Sequence, residues 1–517
     1  MEGITQTFEN KLVADPIENS QSRQVAEAHF SYVDPEFSDH PKLVHASPEM
    51  KSELGLGHLT DEAFLQLVAG NVRLEEQRPY AMAYGGHQFG QWAGQLGDGR
   101  AINIGELKGA TQSWALQLKG SGRTPYSRTA DGYAVLRSSI REYLCSEAMF
   151  HLGVPTTRAL SLVETNRQVL RDVLYNGNPA YEKGAVVCRV SPSFIRFGSF
   201  ELFASRSDTD NLKKLVVFSA AKLNLNLSFE TKEDYLTFFE HILHSTLDMV
   251  LQWQRVGFVH GVMNTDNLSV HGITIDYGPY GWLEGYDPNW TPNTTDAQNS
   301  RYRYGNQAGV AFWNLVRLAN ALFPLIEEVE GLQAVLAKYE PTFQVKYDEM
   351  MKAKLGINET NGTDGLLISD LTELLERSEV DMTLFFRRLS AFQLGKEAEQ
   401  IKLIRNDSYA NEEVFMPFEE QWEEWLMRYG NRLGANTISP QERIELMHSS
   451  NPKYVLRNYM AQLAIDAADK DDYALVDELF ILIKSPYAEQ PEMEKWFAKR
   501  PSWADHKIGC SMLSCSS

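Results

Sequence analysis

The stretch His260–Gly278, with the sequence HGVMNTDNLSVHGITIDYG, decides how the rest of the chain is interpreted. Two short alternating apolar runs, Leu268–Val270 and Ile273–Ile275, flank the dipeptide His271–Gly272. A two-residue loop that contains glycine between two such runs is typical of a β-hairpin. The sequence therefore predicts a rigid two-stranded ribbon near the middle of the chain.

Polar side chains stand at both ends of this predicted hairpin. Asp266 and Asn267 precede it, and Asp276 follows it. Hard divalent cations that bind beside phosphates take one or two carboxylates, an amide oxygen, and water or substrate as ligands. The alternative is that these residues only form turns, and the stretch taken alone leaves both interpretations open.

The length and charge of the chain limit the classes of protein to which it can belong. A chain of 517 residues is too long for one simple core, so we expect two or three lobes. The formal charge of −20 argues against a nucleic-acid partner, because binding to phosphate backbones needs a net basic face. The apolar content of 43% is ordinary for a soluble globular protein.

The sequence gives little support for a membrane, an export signal or a disulfide framework. The most apolar segment, 308–326, contains Asn314, Arg317 and Asn320, so we expect no membrane partner. The first residues include early acids and lack the apolar core of a signal peptide. Four cysteines do not make a disulfide framework in a chain of this size. We therefore expect a reducing compartment, which is the cytoplasm, or mitochondria for a processed eukaryotic protein.

Two alternating runs ahead of the central stretch predict an antiparallel hairpin. They are Ala101–Leu107 and Ser113–Lys119, and a Lys-Gly turn separates them. The period of two places Lys119 at the end of the second strand, on the face opposite its apolar side chains. A helix is predicted over Ala134–Leu152, with Glu142 on the flank of its apolar stripe.

The remaining pattern is β-rich up to about residue 210 and helical beyond it. The other predicted elements are helices at Asp61–Val72, Tyr235–Trp253, Gln307–Phe323 and Pro417–Tyr429, and strands at Ala159–Val163 and Gly184–Val190. The predicted organisation is an irregular lead-in over residues 1–80, a β-rich N-lobe over 81–205, a helical C-lobe over 206–505 that contains the hairpin at 260–278, and a flexible tail over 506–517.

The order of four side chains along the chain resembles the protein-kinase-like fold. In that fold a strand Lys holds phosphates and pairs with a helix Glu, while an Asn and an Asp hold the metal. Lys119, Glu142, Asn267 and Asp276 occur in this order. The resemblance implies an α+β, two-lobed architecture with a β-rich N-lobe and a large helical C-lobe.

One position departs from the kinase pattern. Aligning HGVMNTDN with the kinase catalytic loop puts Val262 where the catalytic Asp should stand. Valine cannot accept a proton, which disfavours ordinary kinase base catalysis. Asp266 is the nearby carboxylate that could replace the missing one. His260 is interpreted as a residue that braces the loop rather than as a metal ligand.

Glycines and arginines cluster in the β-rich part. GQLGDGR occupies Gly94–Arg100 in place of the kinase glycine loop, and GSGR follows the strand Lys at Gly120–Arg123. Arg189 and Arg196 lie farther along the chain. These four arginines could hold a triphosphate from several sides; the alternative is that most of them are surface charges.

Three long motifs carry a closer resemblance. They are YGGHQFGQWAGQLGDGR, LQLKGSGRTPYSRTADGYAVLRSSIREYL, and HGVMNTDN with the later IDYGPYG. Through them the chain resembles the selenoprotein O family of pseudokinases over about its whole length, with Cys515 where some members carry selenocysteine. The resemblance implies a kinase-like fold that binds ATP in a flipped orientation and transfers AMP, rather than phosphate, to protein hydroxyls.

The resemblance also implies roles for the residues at the motif positions. It implies that Asp266 is the proton acceptor, and that Asn267 and Asp276 bind Mg²⁺ or Mn²⁺. The implied partners are ATP and proteins that carry Ser, Thr or Tyr hydroxyls. The nucleotide-binding residues that it implies are Gly97, Gly99, Arg100, Lys119, Asp131, Gly132, Arg189 and Arg196, with Glu142 holding Lys119 and with Asp276 at the metal.

Other functions stay open at this point. They are a catalytically inactive nucleotide-binding scaffold, a phosphotransferase, and transfer of UMP from UTP. The retained pair Asn267 and Asp276 favours an enzyme, because a scaffold has less need of metal ligands. In the tail, Cys510 and Cys515 are either idle thiols or partners in a disulfide that changes activity.

Overall fold

A computed structural model describes residues 7–173, 177–507, 509–510 and 513–514 of the chain. Strands dominate before residue 196 and helices after it, which confirms the α+β class. The strands are β1 (Phe30–Tyr32), β2 (Lys42–Ala46), β3 (Tyr80–Met82), β4 (Gly85–Gln88), β5 (Gln91–Gln95), β6 (Ala101–Lys108), β7 (Ser113–Lys119), β8 (Ala134–Val135), β9 (Arg158–Arg171), β10 (Ala180–Ser191), β11 (Phe258–Val259) and β12 (Gly281–Trp282).

The helices that contact the sheet pack mainly on one of its faces, and the later helices form a second cluster of their own. The helices are α1 (Phe8–Lys11), α2 (Pro48–Glu53), α3 (Asp61–Val68), α4 (Leu136–His151), α5 (Phe197–Ser205), α6 (Thr209–Lys222), α7 (Lys232–Val256), α8 (Gln307–Ile326), α9 (Val329–Leu336), α10 (Tyr339–Lys354), α11 (Asp364–Arg377), α12 (Met382–Leu389), α13 (Glu397–Asp407), α14 (Glu412–Phe415), α15 (Glu419–Leu433), α16 (Pro440–Ser450), α17 (Asn458–Ala468) and α18 (Ala474–Ile483). The exceptions are α2 and α3, which cover the other face.

In the described chain, one antiparallel sheet has the strand order β1-β3-β6-β7-β10-β9-β2, with β8 paired to β10. Both edge strands come from the N-terminal segment that the sequence predicts to be irregular: β1 pairs with β3, and β2 pairs with β9. These strands are only three and five residues long, so an alternating pattern is too short to recognise in them. The N-terminal segment is therefore part of the sheet.

The two faces of β7 differ in chemistry, as its period of two predicts. Leu116 and Leu118 pack with Phe64 of α3 in one apolar cluster. Gln117 and Lys119 lie on the other face and are also buried. The strand pattern thus directs polar side chains of β7 toward the interior of the molecule, where they need partners.

One apolar core joins the sheet to the helices. It runs without interruption from Phe30 of β1 and Leu162 of β9 to Trp253 of α7, Leu315 of α8 and Met460 of α17. A second cluster is centred on Trp422 and Trp425 of α15 and holds the helices from α10 to α16 together. The sheet face with the polar residues is therefore fixed against the long central helices.

The ends of two predicted helices are set by backbone features. The helix predicted over Asp61–Val72 ends at Val68, because Gly70 adopts a left-handed φ of 84°. The helix predicted over Ala134–Leu152 begins at Leu136, because Ala134 and Val135 pair with β10. Helix α4 is buried on almost every side, and Glu142 on its flank is 3% exposed.

The central hairpin predicted at residues 268–275 does not form as two strands. Within the stretch, only Leu268 and Thr274 make a bridge. The other backbone groups of the two runs pair elsewhere: Val270 N donates to Ile195 O at 3.2 Å, and Thr274 N donates to Pro155 O at 2.9 Å. Pairing with segments distant in sequence replaces the local hairpin, and the alternating pattern carries no signal for such partners.

A short two-stranded ribbon, β11 and β12, flanks residues 260–280 on both sides. Helix α7 ends at Val256, because Gly257 adopts a left-handed φ of 76°, and the next residues form β11, which pairs with β12. The segment between β11 and β12 begins with His260, whose Nε2 contacts Ile275 O at 3.0 Å and whose Nδ1 accepts a hydrogen bond from Val262 N. His260 thus joins the two sides of the loop, the role expected for it.

One helical stretch of the described chain, Tyr304–Ile326, has the length and composition of a membrane span, and half of its apolar window is buried inside the protein. This stretch includes α8, which packs against α5 and α7 in the main core. Core helices of soluble proteins meet the same criteria, so the feature is weak support for a membrane segment.

Candidate active site

A cavity of about 710 Å³ lies between the polar face of the sheet and the stretch that follows β11. This volume is in the range typical of small-molecule sites. The predicted site residues that line it are Gly97, Gly99, Arg100, Lys119, Asp131, Gly132, Arg189, Arg196, Asp266, Asn267 and Asp276. Glu142 lies behind the wall, and Arg123 borders a different surface pocket.

Strand register brings the basic side chains of the wall together. Arg189 of β10 stands opposite Gln117 of β7, and its guanidinium donates to the Gln117 amide oxygen. Lys119 lies two residues farther along β7, and its Nζ is 2.6 Å from Glu142 Oε2 of α4. Arg189 Nη1 also donates to Glu142 Oε1 at 3.0 Å. One helix carboxylate therefore pairs with cations from two neighbouring strands.

Asp276 lies at the centre of three cations. Its Oδ1 accepts a hydrogen bond from Arg189 at 2.5 Å and is 3.8 Å from Lys119 Nζ, while its Oδ2 accepts from Arg196. Its own φ of 59° is left-handed, which is uncommon for a residue other than glycine and occurs often at functional sites. Burial alone would raise the pKa of Asp276, but Arg196, Arg189 and Lys119 outweigh it and hold the pKa well below its usual range.

Asp266 and Asn267 lie in a single turn of 3₁₀-helix, Thr265–Asn267, on the other side of the cavity. The Asn267 amide donates to Val262 O at 2.9 Å, which leaves its amide oxygen for another partner. Asp266 Oδ2 accepts a hydrogen bond from Gln88 at 3.0 Å, whereas its buried Oδ1 has no partner among the described residues. Burial raises the pKa of Asp266 to about 6.

Backbone conformation explains the glycines of the cavity wall. Gly97 has a φ of 106°, and a Cβ atom there would lie 2.4 Å from the ring of Tyr126. A Cβ on Gly132 would lie 2.2 Å from Gly122 O. Side chains at either position would displace the loops that border the cavity.

The structure adds site residues that sequence analysis missed. Asp98, between two predicted glycines, is buried, accepts a hydrogen bond from Met82 N, and lies 3.8 Å from Arg196; burial raises its pKa to about 6. Arg171 of β9 holds Asp131 through two contacts of 2.7 and 2.8 Å. The position of Asp98 in GDG could have identified it, whereas nothing local to Arg171 indicates its partner.

The donor set fits a hard divalent cation. An amide oxygen at Asn267 and the carboxylates of Asp266 and Asp276 line one cavity, and the Oδ1 atom of Asp266 is buried without a partner. No three His, Cys, Asp or Glu side chains of the described residues form a metal cluster. A cation here would therefore depend on few protein ligands and on phosphate oxygens, as Mg²⁺ sites beside nucleotides do.

The whole chain can also be compared with known proteins. The family model described as "Protein adenylyltransferase SelO" matches residues 17–484. The chain belongs to the SelO family. It is 57% identical to the protein named "Protein nucleotidyltransferase YdiU" of Flavobacterium johnsoniae, over 99% of both chains. The proteins of the same name from Rhodopirellula baltica and Azoarcus sp. are 51% and 49% identical, over 99% of this chain and 99% and 98% of theirs.

Membership in the SelO family confirms the resemblance carried by the three motifs. The family is one of nucleotidyltransferase enzymes, by the description of its model and the names of these relatives. A polar cavity lined by buried arginines, a lysine and four aspartates is compatible with that chemistry. The match covers nearly the full length of the relatives, so both the sheet and the helices belong to the family's common chain.

The cysteines of this SelO family chain are buried where the structure describes them. Cys145, Cys188 and Cys510 are free thiols. Cys510 O accepts a hydrogen bond from Asn458 at 2.9 Å, and burial raises the pKa of its thiol to about 11. Cys515 lies outside the described residues, so the choice between idle thiols and a disulfide in the tail stays open.

Proposed function

We propose that this protein transfers AMP from ATP to Ser, Thr or Tyr hydroxyls of other proteins and releases pyrophosphate. The observation that carries the proposal is the composition of the cavity. Lys119 and Arg189 of the sheet and Arg196 at the start of α5 share it with Asp266 and Asn267. Val262 lines it where a kinase needs its catalytic carboxylate. A site without that carboxylate and with several buried cations suits a reaction whose leaving group is pyrophosphate.

We also propose a kinase-like, two-lobed architecture for the chain, with the N-lobe over residues 81–205 and the C-lobe over residues 206–505. The ion pair between Lys119 of β7 and Glu142 of α4 supports it, since kinases use a strand Lys and a helix Glu in this way. The presence of Asn267 and Asp276 in the wall of the same cavity as Lys119 also supports it.

In this proposal ATP lies with its α-phosphate beside Asn267 and Asp276 and its β- and γ-phosphates toward the sheet. Mg²⁺ or Mn²⁺, held by Asn267 and Asp276, would supply positive charge to the α-phosphate oxygens. Arg189 and Arg196 would exchange their contacts with Asp276 for contacts with phosphate oxygens. Their guanidinium groups suit this exchange, because they bind carboxylate and phosphate with the same geometry.

Asp266 would accept the proton of the attacking hydroxyl. The hydroxyl oxygen then bonds to the α-phosphorus while the bond from that phosphorus to the bridging oxygen of pyrophosphate breaks. The electron pair of the broken bond leaves with pyrophosphate, whose charge Lys119 and the neighbouring arginines neutralise. This assignment is supported by the buried position of Asp266 at the cavity wall and by its one unpartnered oxygen.

Labelled ATP tests the proposal. With α-labelled ATP and a divalent cation we expect label on protein, and with γ-labelled ATP we expect none. Asp276→Ala is expected to abolish labelling and Lys119→Ala to reduce it at least about tenfold, as loss of one charge-assisted contact predicts. The control is Asp248→Ala, which removes an exposed carboxylate paired with Lys346 and leaves the cavity intact.

Each alternative gives a different result in the same assay. Label from γ-labelled ATP alone would show phosphate transfer, and binding of ATP without any label would show a nucleotide-binding scaffold. Stronger labelling from α-labelled UTP than from ATP would show UMP transfer. Equal labelling by the Asp276→Ala variant and the unmodified protein would contradict the assigned role of Asp276.

A further inference from the structure

The strands β4 and β5 form a separate two-stranded hairpin beside Asp266, which we call the flap (Gly85–Gln95). A Cβ atom on Gly86 would lie 2.7 Å from Asp266 Oδ1, and Gln88 donates a hydrogen bond to Asp266 Oδ2. His87 N donates to Thr265 Oγ1 at 2.7 Å. The flap therefore lies directly on the loop that carries the proposed proton acceptor.

The tip of the flap is strained. Its two central residues, Phe89 and Gly90, have φ values of 50° and 85°, as a tight two-residue turn between strands requires. Glycine adopts this conformation freely, whereas for a bulky residue it is a genuine outlier. Phe89 N donates at 3.1 Å to both Asn264 Oδ1 and Tyr302 OH, which hold the turn in place. Such strain is typical of ligand-binding positions.

The flap also exposes two large aromatic side chains. Phe89 is 38% exposed and Trp92 is 40% exposed. Phe89 lines the mouth of the cavity that contains Asp266. A hydroxyl on another protein that reaches Asp266 has to pass this side of the cavity, because the nucleotide occupies the part toward the sheet in the proposed function.

Two arginines from outside the flap complete this surface. The guanidinium carbon of Arg301 is 4.6 Å from the ring centre of Trp313 and 3.7 Å from the position of a Cβ on Gly90. Arg317 lies 4.9 Å from the same tryptophan ring. Among the described residues neither guanidinium has an ion-pair partner, and the Nε atoms of both are buried without a hydrogen-bond partner.

The nearby acids, Glu201 and Asp296, attract Arg317 and Arg301 through space but make their direct contacts with other groups. Glu201 contacts His87 Nδ1 at 2.5 Å, and Asp296 Oδ2 accepts a hydrogen bond from Tyr302 N at 2.7 Å. The chain as a whole carries a formal charge of −20. Arg301 and Arg317 therefore make no direct ion pair with these carboxylates, and they lie next to exposed aromatic rings beside the site.

We propose that this flap surface, made of Phe89, Trp92, Arg301, Trp313 and Arg317, binds the segment of a protein substrate next to its accepting hydroxyl. The proposal rests on the proposed function and specifies its substrate class. The segment carries an acidic side chain that pairs with the arginines and an apolar side chain that packs on the aromatic rings. Guanidinium groups stacked on aromatic rings keep their hydrogen-bonding edges free for carboxylates.

Binding of synthetic peptides tests the surface without depending on catalysis. Three fluorescent peptides of equal length each contain one Ser, one Thr and one Tyr, and they differ only in the flanking residues, which are Glu, Gln or Lys. Their affinities for the ATP-bound protein are measured by fluorescence anisotropy. We expect the Glu peptide to bind about fivefold more tightly than the Gln peptide, the upper range for a partly exposed ion pair. We expect the Lys peptide to bind most weakly.

Variants separate the contributions to binding. Arg301→Gln combined with Arg317→Gln is expected to remove the preference for Glu, and Arg301→Glu is expected to reverse it. Phe89→Gly is expected to weaken all three peptides alike while leaving the melting temperature unchanged or higher, because glycine relieves the strained φ. The control is Arg377→Glu on the exposed face of α11, which pairs with Glu373.

The outcomes distinguish this proposal from the proposed function. Equal affinity for the three peptides, or a Glu preference that survives the double variant, would overturn the docking surface. A change in molar mass by light scattering in the flap variants, without a change in peptide affinity, would assign the surface to a second copy of the chain and also overturn it. Absence of label from α-labelled ATP on any peptide would contradict adenylyl transfer, while the affinities would still decide the docking surface.

Discussion

Replacing Asp276 by Asn is expected to destabilise the protein even without nucleotide. Three buried cations, Lys119, Arg189 and Arg196, contact this carboxylate, which is 19% exposed. After the substitution Glu142 is left to pair with two of them, Lys119 and Arg189. Breaking a buried ion pair by removing one partner costs about 3–5 kcal/mol. Because Asp276 is partly accessible to water, we expect a loss near the lower end, about 3 kcal/mol.

The measurement is urea unfolding of the unmodified protein and Asp276→Asn, in the absence of nucleotide and divalent cation. The double variant Asp276→Asn, Arg196→Gln is expected to be more stable than the sum of the two single losses, since it also removes the cation that the single substitution leaves with only Asp98, at 3.8 Å. Asp248→Asn is the matched control, because its carboxylate is 46% exposed and its ion pair contributes little. An Asp276→Asn protein that unfolds at the same urea concentration as the unmodified protein, or a higher one, would refute the reasoning.

The same prediction has a pH dependence with a definite sign. The pKa of Asp276 is held well below its usual range in the folded protein, whereas an unfolded Asp titrates at about 3.9. The stabilisation is therefore fully present above about pH 5 and declines as the pH falls below the unfolded value. The difference between Asp276→Asn and the unmodified protein should become smaller in that range.

Three further predictions concern the cavity wall and the core. Gly97→Ala places a Cβ 2.4 Å from the Tyr126 ring, so calorimetry should show ATP binding weakened at least about tenfold with an unchanged circular dichroism spectrum. Burial lowers the pKa of Lys119, and the carboxylate of Glu142 opposes this shift. Loss of that carboxylate in Glu142→Gln should therefore raise the KM for ATP about tenfold. An unchanged KM would contradict the pairing of Glu142 with Lys119. Burial lowers the pKa of His29 from 6.5 to about 4; its contribution to stability is therefore lost as the pH falls below 6.5, by about 2 kcal/mol between pH 7 and pH 5. His29→Gln should lack that part of the pH dependence in urea unfolding.

Local patterns predicted well those features that local chemistry determines. The period of two over residues 101–119 gave both strands of the β6–β7 hairpin and the correct face for Lys119. The period of 3.6 gave the long helix α7, although it extends beyond the predicted Tyr235–Trp253 at both ends. The helix predicted at Pro417–Tyr429 is α15, which begins and ends a few residues later.

Pairing between distant segments was not predictable in the same way. The stretch at 268–275 has the sequence of a hairpin, but Val270 and Thr274 bond to residues near 195 and 155. Asp131 was predicted at the site from its motif, whereas its partner Arg171 comes from the far end of β9. A single sequence contains no signal for contacts of this kind, because nothing near one partner in the sequence identifies the other.

The position of β1 and β2 at opposite edges of the sheet has a consequence for biosynthesis. β2, residues 42–46, cannot find its partner until β9, with residues 161–164, has left the ribosome. Strand β2 must therefore wait unpaired while more than a hundred later residues are made. Truncation of the segment that contains β1 and β2 would expose the unpaired edges of β3 and β9. Exposed strand edges of this kind pair with those of other molecules, and the protein aggregates. Shortened versions of the protein are thus expected to precipitate before any loss of catalysis can be assessed.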